Sequence, residues 1–290
     1  MKPRIFVVAS VVCICALIAV GQSKRKPKPS PSPTPELAWS SLYEDVKWQK
    51  GPSVGGLGDT AQVKVPDGYV FAGARDTRTI MEANQNPTSG KEIGFVAPDG
   101  ENWYVVFEFD DVGYVKDDEK DSLDANALLD RIKEATAAGN EERMRRGWPT
   151  LSIVGWETPP RYNDITNNLE WAVRLQSEGQ LGINHNTRLL GRGGVMEVTL
   201  VVSPELLAET LPKFKTMLDG FEYKSGHKYA EFRAGDRTAA YGLTGLIVGG
   251  GTAALVKTGA FKWIWKGLVA AALAIGAFVK KIFSRRSDAS

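Results

Sequence analysis

Apolar and polar positions alternate along most of the middle of the chain, and two continuous apolar runs lie near its ends. Alternation with period two puts every second side chain on one face of a sheet, whereas recurrence every three to four residues makes one face of a helix. Residues 61–65 (AQVKV), 69–72 (YVFA) and 103–109 (WYVVFEF) therefore predict strands, the first two joined by a Pro66-Asp67-Gly68 turn. Residues 51–59 (GPSVGGLGD) are glycine-rich but lack a Gly-Lys-Ser/Thr and open no helix, so a loop is expected there. Residues 123–138 predict a helix with Asp124 as N-cap, an apolar stripe of Leu128, Leu129 and Ile132, and Gly139 as its stop. A short charged helix over 141–146 is expected next.

From Thr150 the pattern is that of a β-meander. TLSIVGWE runs to a break at Pro159-Pro160, NLEWAVRLQ covers 168–176, HNTRLL covers 185–190, and a turn at 191–194 leads into VMEVTLVV at 195–202. Leu169, Trp171, Val173 and Leu175 alternate with polar or small neighbours, as a half-buried antiparallel strand requires. Ser203-Pro204-Glu205 then combines an N-cap, a first-turn proline and a first-turn acid, opening a helix to about Leu218. Asp219-Gly220 ends it, and FEY forms a last strand. The expected fold is α+β: an antiparallel β-sheet or meander with two main helices, plus a C-terminal transmembrane helix.

The two apolar ends place this domain in a context. A helix needs about 20 mostly apolar residues to cross a hydrocarbon core. Residues 239–290 hold two such stretches of unequal quality. The stretch 239–256 is uncharged but glycine-rich, and Gly245 and Gly249, four apart, have the small-residue spacing of close helix contacts in membranes. The stretch 263–283 is the better span: Trp263 and Trp265 suit the interface, Lys266 can snorkel, and Lys280, Lys281, Arg285 and Arg286 close it. At the other end, Lys2 and Arg4 precede an apolar run at 5–20 and a small-residue Ala19-Val20-Gly21 site, the order of a secretory signal. The basic cluster Lys24, Arg25, Lys26 and Lys28 opposes simple export and leaves open an uncleaved N-terminal anchor. The expected organisation is a signal peptide at 1–21, a Pro/Lys/Ser-rich linker at 22–36 and an extracytoplasmic α+β domain at 37–237. A glycine-rich interfacial or hairpin-forming segment at 238–262, a transmembrane helix at 263–283 and a basic cytoplasmic tail at 284–290 complete it. A single crossing by 263–283 puts the four terminal charges in the cytoplasm, and a hairpin would put them outside. The expected location is the cell inner membrane, single-pass.

Charge and chemistry narrow the function only by exclusion. The net charge is +2 and much of the positive charge flanks the two apolar runs, so the middle has no basic stripe for nucleic acid. Cys13 and Cys15 both lie in the N-terminal run, leaving the domain without a thiol. His185 and His227 are the only imidazoles and show no zinc-site spacing, and no GxSxG elbow occurs. Asp110, Asp111, Asp117, Asp118, Glu119, Asp121 and Asp124 suit either calcium or a solvated loop that leads into a helix N-terminus. Arg161, Tyr162, Arg188 and Arg192 fall near turns beside Trp156 and Trp171 and could receive an anion or a glycan. The competing expectation is that these arginines pair with Glu157, Glu170 or Glu197 across the meander. No catalytic residue, cofactor or metal ligand is assigned.

The segments GYVKDDE at 113–119, GWETPPRYN at 155–163, NTRLLGRGGVMEVTL at 186–200 and YAEFRAGDRTAAYGLTGL at 229–246 resemble a bacterial family of predicted membrane-anchored proteins with a domain of unknown function. The resemblance covers roughly residues 50 to 283 and leaves out the proline-rich linker. It implies export, one anchored domain and a C-terminal apolar segment, and it carries no activity or catalytic residue. The expected function is a non-enzymatic binding or assembly module of the envelope, facing the periplasm. Its expected partners are the lipid bilayer and, through the C-terminal segment, a second copy or another membrane protein. The alternatives are a membrane-tethered hydrolase using Asp236 and Arg161, or a subunit of a membrane assembly.

Overall fold

The computed structural model describes residues 45–99 and 102–249 of the chain. The signal at 1–21, the linker at 22–36, the span at 263–283, the tail at 284–290 and most of the segment at 238–262 lie outside the described residues. Among the described residues, no helix is long and apolar enough to cross a membrane.

The chain runs through β1 (Gln49–Lys50), β2 (Ser53–Leu57), β3 (Ala61–Val65), β4 (Tyr69–Gly73), α1 (Ala74–Ala83), β5 (Glu92–Pro98) and β6 (Tyr104–Asp110). Then follow α2 (Ala125–Arg145), β7 (Ser152–Asn163), β8 (Asn168–Ser177), β9 (Gln180–Leu190), β10 (Val195–Val202), α3 (Leu207–Leu218), β11 (Phe221–Tyr223) and a short α4 (Leu243–Ile247). Eight strands form an antiparallel sheet in the order β1-β4-β5-β6-β10-β9-β8-β7, and β11-β3-β2 form a second, smaller one. The expected α+β class with an antiparallel meander holds, and the meander is the run β7 to β10.

Strand alternation sorts the large sheet into two faces. Val105 and Phe107 of β6, Ile183 and Leu189 of β9, and Met196, Val198, Leu200 and Val202 of β10 point to the first face. There they pack with Leu57, Ala61, Val63 and Val65 of the small sheet and with Phe214 and Met217 of α3. The second face is covered at its two ends. At one end α1 seats Ile80 against Phe95 and Val106. At the other, Leu128 of α2 and Leu243, Leu246, Ile247 and Val248 close over Leu169, Trp171, Val173 and Val195. This last contact moves the domain boundary. The folded unit runs past residue 237 to at least Val248, because four apolar side chains that an interfacial segment would give to lipid are buried in the second core.

Several local expectations are revised. A third helix of ordinary length, α1, forms from ARDTRTIMEA. The glycine-rich 51–59 stretch contains strand β2 instead of a loop: a Cβ on Gly55 would fall 2.6 Å from the Phe71 ring, so only glycine lets the small sheet lie that close to the large one. α2 is one helix through Gly139, so no stop and restart occurs, although Asp124 caps it as expected by accepting from the Asn126 and Ala127 N–H groups. β7 continues through Pro159-Pro160 as a bulged edge strand, where prolines are tolerated because one side of the ladder is empty.

Candidate functional site

Two adjoining clefts of about 490 and 550 Å³ open on the first face of the sheet, beyond its dry core. They share Asn163, Glu170 and Lys215 and so form one groove. The tip of the β7–β8 hairpin makes one wall, α3 and β11 make the other, and Leu189, Leu190 and Tyr223 line the second cleft between them. The hairpin tip is shaped by Asn163, whose Oδ1 accepts from the Ile165 and Thr166 N–H groups, and Ile165 is left 93% exposed beside the opening.

Charge in the first cleft comes from Arg161 on β7, Glu170 on β8, Lys215 on α3 and, at the hairpin tip, Asp164, which pairs with Lys120. Arg161 and Glu170 stand opposite each other in register, and Glu170 in turn faces Thr187 on β9. The expected Arg161–Glu170 ion pair does not form. Among the described residues, none of Arg161, Glu170 and Lys215 makes an ion pair or a side-chain hydrogen bond. Two buried polar side chains of β9, neither of which lines the clefts, follow on the same face of the sheet. His185 is 5% exposed with its Nε2 unpartnered, and Thr187 is fully buried with its Oγ1 unpartnered, among the described residues. The His185 ring meets the edge of Phe214 with centroids 5.6 Å apart. Burial, then the charges of Lys215 and Arg161, push its pKa down to about 4, so the ring is neutral at neutral pH. Tyr162 lines this cleft too; its hydroxyl donates to Asp117 at 3.1 Å, and burial followed by Asp117 raises its pKa.

The other residues singled out from sequence lie elsewhere. Arg188 is on the second face, where it pairs with Glu197 at 3.0 Å and lies over the Trp171 ring at 4.8 Å, the cross-strand pairing that was the competing expectation. Arg192 grips Asp236 with two bonds of 2.7 and 2.8 Å, and Asp236 also accepts from the Arg233 N–H. Arg192 above all holds the Asp236 pKa down, to about 2. Of the five candidate residues only Arg161 and Tyr162 therefore share the groove. The hydrolytic use of Asp236 with Arg161 loses its geometric basis, because Asp236 is closed on Arg192 and absent from the cleft lining. Gly245 and Gly249 do not share a helical face: Gly249 lies beyond α4 with φ +93°. A Cβ on Gly245 would meet the ring of Tyr241 at 2.5 Å, so this glycine admits a neighbour from its own domain.

The acidic stretch from Asp110 to Asp124 acts as a set of fasteners. Asp110 takes the Tyr241 hydroxyl at 3.0 Å and Lys91 at 2.5 Å, Asp111 pairs with Arg237, and Glu119 accepts the Thr244 N–H at 2.7 Å. Between them the backbone of Tyr114 pairs with Arg237 and Ala239, and Gly113 at φ +92° has room for no side chain, since a Cβ would sit 2.6 Å from the Arg237 oxygen. Among the described residues, no group of three or more His, Cys, Asp or Glu is placed to hold a metal ion.

One constellation gave no signal in the linear sequence. Glu92, Glu108, Glu197 and Arg188 occupy one cross-strand row over β5, β6, β10 and β9, in register at each step. Like charges directly opposite each other destabilise a sheet, so the row demands compensation. Glu92 accepts from Ser89 N and Oγ and from Gly90 N, while Arg188 neutralises Glu197. Glu108, between the other two carboxylates, has the Ser89 hydroxyl at 3.1 Å. Burial, then Glu197 and Glu92, raise its pKa. Only a strand register, not a spacing along the chain, brings these acids together.

Fold and groove together define an α+β domain with an open, charged cleft on one face of a long antiparallel sheet. The chain belongs to the family described as Protein of unknown function (DUF2167), which matches residues 49–280, and the resemblance drawn from the sequence motifs is borne out in that respect. A comparison with curated proteins finds no match. Among solved structures the chain is similar to cyanobacterial PsbP (CyanoP) from Synechocystis sp. PCC 6803, with 10% identity over 62% of this chain and 92% of that one and a TM-score of 0.36. It is also similar to the Ran-binding protein Mog1p of Saccharomyces cerevisiae, with 12% identity over 65% of this chain and 99% of that one and a TM-score of 0.29. Likeness at this level carries no argument about ligand or activity.

Proposed function

We propose that this protein is a binding module of the bacterial envelope. Its domain faces the periplasm, residues 263–283 hold it to the inner membrane, and the groove between the β7–β8 hairpin and α3 is its binding surface. The observation that carries the binding role is the convergence of Arg161 and Lys215, unpaired among the described residues, on one open cleft with Glu170. A guanidinium and an ammonium that line one cleft, each making no ion pair among the described residues, favour a ligand with an anionic group. The placement is supported by the signal-like order of residues 1–23 and by the tryptophans and terminal cations around the 263–283 run.

Cysteine accessibility tests the placement. In a variant with Cys13 and Cys15 replaced by serine, Ile165→Cys puts a thiol at the most exposed large apolar position of the described residues. A membrane-impermeant maleimide should label it in cells whose outer membrane alone is permeabilised. Labelling only after the inner membrane is lysed would reverse the topology.

A further inference from the structure

We infer that the groove takes an anionic saccharide, a short chain of sugar units that carry carboxylates. This deepens the binding-module reading and rests on it. Each cleft lies within the range of about 300–1,000 Å³ that holds a small ligand, and the two are continuous through Asn163, Glu170 and Lys215. Arg161 and Lys215 supply the charge for a sugar carboxylate, and the guanidinium can grip it with two parallel bonds.

Three features separate a sugar from other anions. Glu170 is an acceptor-only group when ionised, and it lies in the same cleft as the two cations. It accepts hydrogen bonds from hydroxyls, which a sugar carries next to its acid and a glutamate-rich peptide lacks. The hairpin wall presents Asn163, Thr166, Asn167 and Asn168, of which Asn163 already uses its Oδ1 on the Ile165 and Thr166 N–H groups. The amide N–H groups of Asn163 and Asn167 remain as donors to hydroxyl and ring oxygens. The second cleft adds the half-buried rings of Phe221 and of Tyr229, the latter with one face already stacked on Tyr114, as apolar surface for one side of a sugar ring.

An extended peptide fits less well. A peptide that adds a strand needs a free and regular sheet edge, but β8 and β9 are paired on both sides, the free edge of β7 is broken by bulges and by Pro159-Pro160 just before Arg161, and β11 has only three residues.

The test is calorimetric titration of the full-length protein in mild detergent with four probes: an oligogalacturonate, the neutral oligogalactan of equal length, a glutamate-rich peptide and inorganic phosphate. The oligogalacturonate should bind, weaken with salt, and lose about tenfold or more in affinity in Arg161→Ala and in Lys215→Ala, the loss of a charge-assisted bond. The neutral sugar should bind about tenfold more weakly or not at all, by the same loss. Glu170→Ala gives a test of opposite signs: it should weaken a sugar that donates hydroxyls and strengthen a purely acidic peptide. Circular dichroism of each variant keeps folding out of the comparison. The saccharide assignment is overturned if phosphate or the peptide binds as tightly with the same dependence on Arg161 and Lys215, or if Glu170→Ala tightens the oligogalacturonate. In those cases the groove stands as a binding site. If no probe binds in a way that depends on Arg161 and Lys215, the binding-module reading falls with it.

Discussion

Acid should unfold this domain partly through one imidazole. His185 sits between the large sheet and Phe214 with no partner for Nε2 among the described residues, and burial, Lys215 and Arg161 all oppose its protonation. Its pKa is about 4 in the folded chain against an ordinary 6.5. Between these values the unfolded chain binds the proton and the folded chain does not, so stability falls as pH drops through 6.5 and levels off below 4. The two pKa values give a loss, relative to neutral pH, of about 2 kcal/mol at pH 5 and about 3 kcal/mol at pH 4. His185→Gln removes the titration while keeping a polar side chain of similar reach. Urea unfolding followed by tryptophan fluorescence, at several values from pH 7 to pH 4, gives the stability difference between wild type and variant. That difference should shift by about 2 kcal/mol in the variant's favour by pH 5, whatever its value at pH 7. Lys215→Met should shrink the shift by removing one of the repelling charges. A difference that stays constant to about 0.5 kcal/mol across the range would refute the reasoning, since independent sites add to within that margin.

Three further outcomes follow from the packing. Glu108→Gln should stabilise the fold by about 1 kcal/mol at pH 8, where it relieves repulsion from Glu92 and Glu197, as pH-dependent urea unfolding would show. Because the Glu108 pKa is raised, wild type recovers as pH falls through it, and the gain should fade in acid. Leu246→Ala should cost about 2–5 kcal/mol in the same assay, because the side chain is buried in the core over Trp171 and Val173; no change would return this segment to an independent role. Asp124→Ala should cost about 1 kcal/mol and increase amide exchange in the first turn of α2, where its carboxylate caps two N–H groups.

The strands with strong alternation, such as β8 and β10, were legible because burial on one face writes itself into every second residue. What misled was chemistry satisfied at long range. Gly55 reads as a loop residue until Phe71 is laid across it, and Gly139 reads as a helix stop although the helix passes through it. α1 was missed because ARDTRTIMEA shows little apolar stripe: of its ten residues, only Thr77 and Ile80 are buried. In the groove, Arg161 and Tyr162 stood out through their aromatic and turn context, whereas Lys215 did not, because its place in the cleft depends on how α3 crosses the sheet. The segment after residue 237 reads as membrane-directed for a plain physical reason: a run of Leu, Ile and Val suits lipid and protein core equally well.

That last segment also sets an order of events during synthesis. Chains emerge N-terminus first, and domains fold as their parts become available. Here the second core stays open until Leu243 to Val248 arrive, since they cover Leu169, Trp171, Val173 and Val195. The Tyr114 bridge forms once Thr238 has arrived, and the Glu119 contact waits on Thr244 within the closing segment. The apolar run at 263–283 begins 15 residues after Val248. On the proposed inner-membrane placement, the fold closes shortly before that run becomes available to a bilayer, so a substitution that delays either should be felt by the other.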